Sequence, residues 1–144
     1  ENIVLNIGAA SKAEVFKTLS STFAISGLLD ESGVKELVEK LKERESISTT
    51  GVGKGIAIPH ASIDSIEETV IAVGGAPEGV DFASVDGKPA TVIFMIIGSK
   101  SIPHQHIQIL AKIVRLCKKE ELMKKIRNGS SAEEVLDAIR MLEN

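Results

Sequence analysis

The spacing of hydrophobic positions changes more than once over the first fifty residues. Asn2 to Ile7 alternates polar and apolar residues, the period of a strand with one buried face. Val15, Phe16, Leu19 and Phe23 then follow helical spacing, and Ser11-Lys12-Ala13-Glu14 ahead of them has the capping-box arrangement that opens a helix. Gly27 supplies a stop, since glycine adopts the left-handed conformation that ends helices. A second apolar face comes next in Val34, Leu37, Val38 and Leu41. It runs into Lys42-Glu43-Arg44-Glu45, which on composition reads as a solvated helix end.

Further on, Ile56 to Ile58 forms a short apolar strand stopped by Pro59. Thr69 to Val73 and Thr91 to Ile97 are rich in β-branched residues, and the second is apolar enough to be buried on both faces. Asp86-Gly87 between them offers a tight turn, predicting an antiparallel hairpin. From Ile107 helical spacing returns, with Leu110, Ala111 and Val114 on one face, and Ser131-x-x-Glu134 has the form of the cap of a final helix. Strands and helices interleave with no repeat, linker or low-complexity stretch. The prediction is an α/β fold, a mixed β-sheet sandwiched by helices, in a single domain over residues 1–144.

Composition narrows the function classes. A chain of 144 residues, 43% hydrophobic and 26% charged, suits one globular domain with a core that needs no disulfide or structural metal. A net charge of -3, with no Trp or Tyr and four Phe, offers neither a basic field nor stacking platforms, so nucleic acid is not an expected partner. Ala90 to Gly98 is far shorter than the roughly 20 residues that span a bilayer, and no signal-peptide pattern opens the chain, so a soluble, cytoplasmic protein without membrane insertion is expected. The first residue is Glu rather than Met, as in a segment cut from a longer polypeptide. The single Cys117 sits in an apolar helical stretch and reads as a packing residue.

Gly51-Val52-Gly53-Lys54-Gly55 invites a nucleotide-loop reading, but Ile56 stands where a dinucleotide fingerprint needs its third glycine. Gly55 stands where a phosphate loop needs Ser or Thr after Lys54, and the chain continues into a strand and a proline rather than a helix. Pro59 fixes its own φ and biases Ile58 toward extended geometry, which would present His60 off a strand end, where α/β folds place reactive groups. Taken locally, His60 also reads as an ordinary surface or hydrogen-bonded histidine.

The run Arg44-Glu45-Ser46-Ile47-Ser48-Thr49-Thr50-Gly51-Val52-Gly53-Lys54-Gly55-Ile56-Ala57-Ile58-Pro59-His60 resembles the active-site signature of the fructose- and mannitol-type IIA domains of the bacterial phosphotransferase system. The likeness continues in Ser11-Lys12-Ala13-Glu14, in Asp81 to Pro89 and in His106 to Ala111, covering nearly the whole chain in order. It implies that His60 is the phosphoryl acceptor, with Nε2 attacking, and that His106 is a second active-site histidine donating a hydrogen bond to the phosphoryl group. It marks Arg44 as the family's arginine, and Thr50 and Glu45 as supporting positions. Lys54 occupies a position that varies within the family, and Ile107 stands where many relatives have leucine, which leaves the subfamily open.

Phosphoryl transfer needs an in-line nucleophile and cationic or donor groups around three oxygens that share negative charge. Neutral imidazole meets the first need, because one nitrogen attacks while the other holds a tautomer-fixing hydrogen bond. A guanidinium meets the second. His104 and His106, if both lie on a helix, point about 200° apart, so only one of them serves the site and a chelate between them is disfavoured. No metal or organic cofactor is expected. The implied activity is that of a phosphotransferase intermediate between the phosphocarrier HPr, or its nitrogen-branch paralogue, and a IIB domain. The alternative is a nitrogen-type IIA regulator that signals by phosphorylation state to a target protein and moves no sugar.

Overall fold

The computed structural model describes residues 3–5, 7, 8, 11–64, 66–99, 103–128 and 131–143, with backbone alone for 99, 103–106 and 141–143. In chain order the elements are β1 (Ile3–Val4), α1 (Lys12–Ile25), α2 (Glu31–Ile47), β2 (Gly51–Gly53), β3 (Ile56–Ala57), β4 (His60–Ile63), β5 (Val70–Val80), β6 (Ala90–Ser99), α3 (Pro103–Leu116), α4 (Glu120–Arg127) and α5 (Ala132–Glu143). The strands make one mixed sheet in the order β1-β5-β6-β3-β2, with β4 also paired to β6. β5 and β6 are antiparallel, as are β2 and β3, whereas β3 and β4 both run parallel to β6 and β1 runs parallel to β5. This is the predicted α/β sandwich.

β6 explains the two layers. Its alternate side chains go to opposite faces. Ile93, Met95 and Ile97 join a core with Phe16, Leu19 and Phe23 of α1 and Leu37 and Leu41 of α2. Val92, Phe94 and Ile96 join a second core with Ile113 of α3, Leu122, Met123 and Ile126 of α4, and Val135 of α5. Close approach of α4 to the sheet depends on Gly75, where a Cβ would stand 2.2 Å from the Ile126 carbonyl oxygen.

The caps of α1 agree with the sequence prediction. The Ser11 hydroxyl accepts from the Glu14 N–H at 3.3 Å. At the other end Gly27 takes φ +81°, while the N–H groups of Leu28 and Gly27 return to the carbonyls of Phe23 and Ala24 at 2.9 and 3.2 Å. That pair of bonds satisfies carbonyls the helix would otherwise leave open. Asp30 caps α2 through the Gly33 N–H at 2.8 Å, and Ser131 caps α5 through that of Glu134 at 3.1 Å.

Four expectations need correction. The first strand is short: β1 holds Ile3 and Val4, Ile7 adds one bond to the Gly75 carbonyl at 2.9 Å, and Asn2 and Asn6 lie outside the described residues. The predicted hairpin is present, but its strands extend further and are joined by residues 81–89, with the Asp86-Gly87 turn at the tip and the Gly87 N–H on the Ser84 carbonyl at 2.9 Å. In α3 the face bearing Leu110, Ala111 and Val114 is exposed, while Ile113 is buried and Ile109, Leu116 and Cys117 are partly so. The helix is apolar on both sides, and the sheet rather than the period selects the buried one. Finally, Lys42-Glu43-Arg44-Glu45 is not a uniformly solvated end: α2 runs on to Ile47, and while Lys42 and Glu43 are exposed, Arg44 and Glu45 turn inward.

Candidate functional site

Pro59 interrupts an edge of the sheet without ending it. β3 pairs Ile56 with Val92 and Ala57 with Ile93; β4 resumes by pairing His60 with Ile96 and Ala61 with Ile97. Proline has no N–H to give, but its carbonyl accepts from the Ile96 N–H at 2.9 Å, so the ladder passes through it. The Ile58 N–H meanwhile turns away, to the Thr50 carbonyl at 2.9 Å. His60 therefore begins a strand segment inside the sheet, rather than leaving a strand end as its proline suggests. Ile56 and Ile58 pack into the core beneath α3, and Ala57, Ala61 and Ile63 into that beneath α1 and α2. By strand alternation the half-buried His60 rises on the α3 side.

Among the described residues, Arg44 and the Ile58 carbonyl contact its ring. Arg44 Nε donates to His60 Nε2 at 3.2 Å, and His60 Nδ1 lies 3.1 Å from the Ile58 carbonyl oxygen. A guanidinium only donates and a carbonyl only accepts. Both contacts are satisfied together by the neutral ring with its proton on Nδ1 and its lone pair on Nε2. Arg44 is itself oriented by Nη1, which donates to the Ser48 carbonyl at 2.8 Å, and as a cation in the last turn of α2 it complements the helix dipole.

Glu45, one helical step on, faces the interior, its side chain 6% exposed. It accepts from the Thr50 N–H at 2.9 Å, the Thr50 hydroxyl at 2.6 Å and Lys12 Nζ at 2.9 Å. Burial pushes its pKa up, but the hydrogen bonds from the Thr50 hydroxyl, Lys12 and the Thr50 N–H, with the charge of Lys12, outweigh burial and leave the carboxyl below its ordinary value. Thr50, itself buried, thus gives its hydroxyl to Glu45. Lys12 is the member to which sequence reasoning gave no role in the site, since it reads there as part of a capping box and of the run that carries the resemblance. One signal was available, because a lysine in the first turn of a helix opposes the dipole and calls for another partner.

α3 starts at Pro103, so His104 and His106 both lie in its first turn, about two residues or 200° apart. The His106 side chain lies outside the described residues. The glycine segment forms β2 and a two-residue turn with φ 57° at Lys54 and 78° at Gly55, the geometry of a tight hairpin. Asp86 braces it, accepting from the Lys54 and Lys88 N–H groups at 2.9 and 3.1 Å, and these bonds lower its pKa. Among the described residues no group of three or more His, Cys, Asp or Glu could hold a metal ion, and no helix is long and apolar enough to cross a membrane. Burial pushes the Cys117 thiol up to about 11.

Residues 1–141 match the family described as "Phosphoenolpyruvate-dependent sugar phosphotransferase system, EIIA 2". The chain is 33% identical over 139 residues to the fructose-specific EIIA component of Haloferax volcanii, covering 96% of this chain and 89% of that protein. It is 34% identical over 137 residues, 95% of its length, to the fructose-specific EIIABC component of Bacillus subtilis, but spans only 21% of that longer protein. The crystal structure of nitrogen regulatory protein IIA-Ntr from Neisseria meningitidis superposes with a TM-score of 0.83 at 28% identity, covering 96% of this chain and 92% of that one. The chain belongs to the EIIA type-2 family of the phosphoenolpyruvate-dependent sugar phosphotransferase system.

Proposed function

We propose that residues 1–144 act as one EIIA unit, a cytoplasmic phosphoryl carrier that accepts the group on His60 Nε2 from HPr and passes it to a IIB domain of fructose or mannitol type. The observation that carries this reading is the pairing of His60 Nε2 with Arg44 Nε at 3.2 Å while Nδ1 is held at the Ile58 carbonyl. It presents a lone pair with a cation beside the place where phosphoryl oxygens would arrive. In the step, a bond forms between His60 Nε2 and phosphorus as the donor's N–P bond breaks and its electron pair returns to the donor nitrogen. The Nδ1 proton stays on the ring, held by the Ile58 carbonyl, which offsets the charge the ring acquires. Arg44 shifts its N–H from the nitrogen to the oxygens, where charge is spread in a loose transition state. His106, from the first turn of α3, is assigned a hydrogen bond to the same oxygens. Thr50 and Glu45 support the site, and no cofactor enters the step.

The protein incubated with phosphoenolpyruvate, enzyme I and HPr should gain one acid-labile phosphoryl group by intact mass, and His60→Ala should gain none. Wild type unlabelled by HPr and by its nitrogen-branch paralogue, or His60→Ala labelled as well as wild type, would overturn the assignment. The likeness in fold to IIA-Ntr favours a second reading, a regulator whose phosphorylation state is read by a target protein. Discharge of the labelled protein by a fructose- or mannitol-type IIB domain supports transport; retention of the label before every such domain supports the regulator.

A further inference from the structure

Lys12 opens α1, where free N–H groups make a cation unfavourable, yet it is tied down. Its ammonium stands 2.9 Å from Glu45 Oε2 and 5.5 Å from the ring centroid of the fully buried Phe82, and its side chain is 27% exposed. Thr49 fastens the same corner, its hydroxyl donating to the Phe82 carbonyl and accepting from the Gly51 N–H at 2.9 Å.

From Glu45 the hydrogen bonds lead to the candidate acceptor in three steps. Glu45 holds Thr50 by both N–H and hydroxyl; the Thr50 carbonyl accepts from Ile58; the Ile58 carbonyl faces His60 Nδ1. The residue before Glu45 is Arg44, on the opposite ring nitrogen. One helical turn therefore grips the imidazole from both sides, directly through Arg44 and indirectly through Glu45 and Thr50. The second grip relies on an ionised carboxylate that sees little water, and such a charge needs a partner cation. Lys12 is the cation bonded to it.

We propose that Lys12 is a positioning residue for phosphoryl acceptance: by neutralising Glu45 it fixes Thr50 and the Ile58 carbonyl, and so holds His60 in the form with its lone pair on Nε2. The proposal rests on His60 being the acceptor. Without the ammonium, Glu45 must take up a proton or admit water, and either loosens Thr50 and the peptide that selects the tautomer. A plain clamp between α1 and α2 would lose stability on the same substitution but would leave the ring alone.

The test is the imidazole nitrogen spectrum of His60 in ¹⁵N-labelled, unphosphorylated protein, read with transfer kinetics from phosphorylated HPr. Wild type should show one tautomer, protonated on Nδ1. Lys12→Met should show a mixture, with kcat for acceptance down about tenfold and KM within about twofold, as loss of orientation rather than of binding predicts. Lys12→Arg should restore both. If Lys12→Met fails to fold, Lys12→Gln, which keeps a donor but no charge, takes its place with the same expectations. A single unchanged tautomer with unchanged kcat overturns the proposal, as does failure of Lys12→Arg to restore the ring. Should wild type accept no phosphoryl group, the acceptor reading fails by itself, and the tautomer comparison still decides whether Lys12 orients His60.

Discussion

The two helical layers seal the sheet to different degrees. Against one face, Phe16, Leu19 and Phe23 of α1 and Leu37 and Leu41 of α2 are buried almost completely, with Val34 and Val38 of α2 partly covered and Ile25 and Ile47 exposed at the helix ends. Against the other, Ile113, Ile126 and Val135 are buried, but Ile109, Leu116, Cys117, Ala138 and Ile139 are only partly covered, and Ile107, Leu110 and Val114 face solvent. The site straddles this difference. Arg44 and Glu45 come from the sealed layer, whose packing fixes where the last turn of α2 lies, while His60 rises on the open side. The more fully buried layer thus supplies the groups that contact the ring, while the ring itself lies on the less covered side.

Phe23→Ala should give the largest effect, a loss of about 3–5 kcal/mol in urea unfolding, because the closed layer cannot collapse into the space left. Val114→Ser, on the exposed face of α3, should stay within about 0.5 kcal/mol of wild type. Comparable losses at the two positions would break the contrast between the layers.

Arg44→Gln sharpens it from the side of function. Removing a donor aimed at developing charge should slow phosphoryl acceptance by about 10²-fold in quenched-flow transfer from phosphorylated HPr. Stability should fall by about 1 kcal/mol, the scale of the Ser48 carbonyl bond and the helix-dipole contact that the substitution weakens at a partly exposed residue. If instead unfolding shifts strongly while transfer is kept, Arg44 serves the end of α2 through its bond to the Ser48 carbonyl.

The parts of this arrangement legible in the sequence are the local ones. The Ser11 cap, the Gly27 stop and the burial of β6 on both faces follow from spacing and conformational preference within a few residues. The buried side of α3 was not legible, because Leu110, Ala111 and Val114 form as good an apolar face as Ile109, Ile113 and Leu116. Composition also concealed the turn at Arg44 and Glu45: a helix rotates about 100° per residue, so two members of a charged run enter the fold while two stay in water. What they meet is set by strands distant in sequence, 16 residues on for Arg44 and His60, and by Lys12, 33 residues back from Glu45. His60 itself was marked by family resemblance. Its place within β4 comes from the sheet continuing through the Pro59 carbonyl, which a reading of proline as a stop does not anticipate.

The smallest effect expected concerns Glu45, and it tests whether the sealed layer holds charge as well as apolar surface. Burial opposes its ionisation, yet the bonds from Thr50 and Lys12 prevail and the folded carboxyl lies below its ordinary 4.5. The unfolded chain therefore binds this proton more readily than the folded one, and acid favours unfolding. The stabilisation is complete above 4.5 and drains away as pH falls through the lower folded value. Asp86, whose carboxylate is also held below its ordinary 3.8 by the N–H groups of Lys54 and Lys88, contributes to acid destabilisation too, so the acid limb of wild type alone does not isolate Glu45. Glu45→Gln does, since the amide keeps the size and one acceptor oxygen but takes up no proton. The gap between the urea midpoints of wild type and Glu45→Gln should be widest above 4.5 and close progressively below it. Parallel curves would mean that the carboxylate gains nothing from Lys12 and Thr50 on folding, and the sealed layer would then position Arg44 by packing alone.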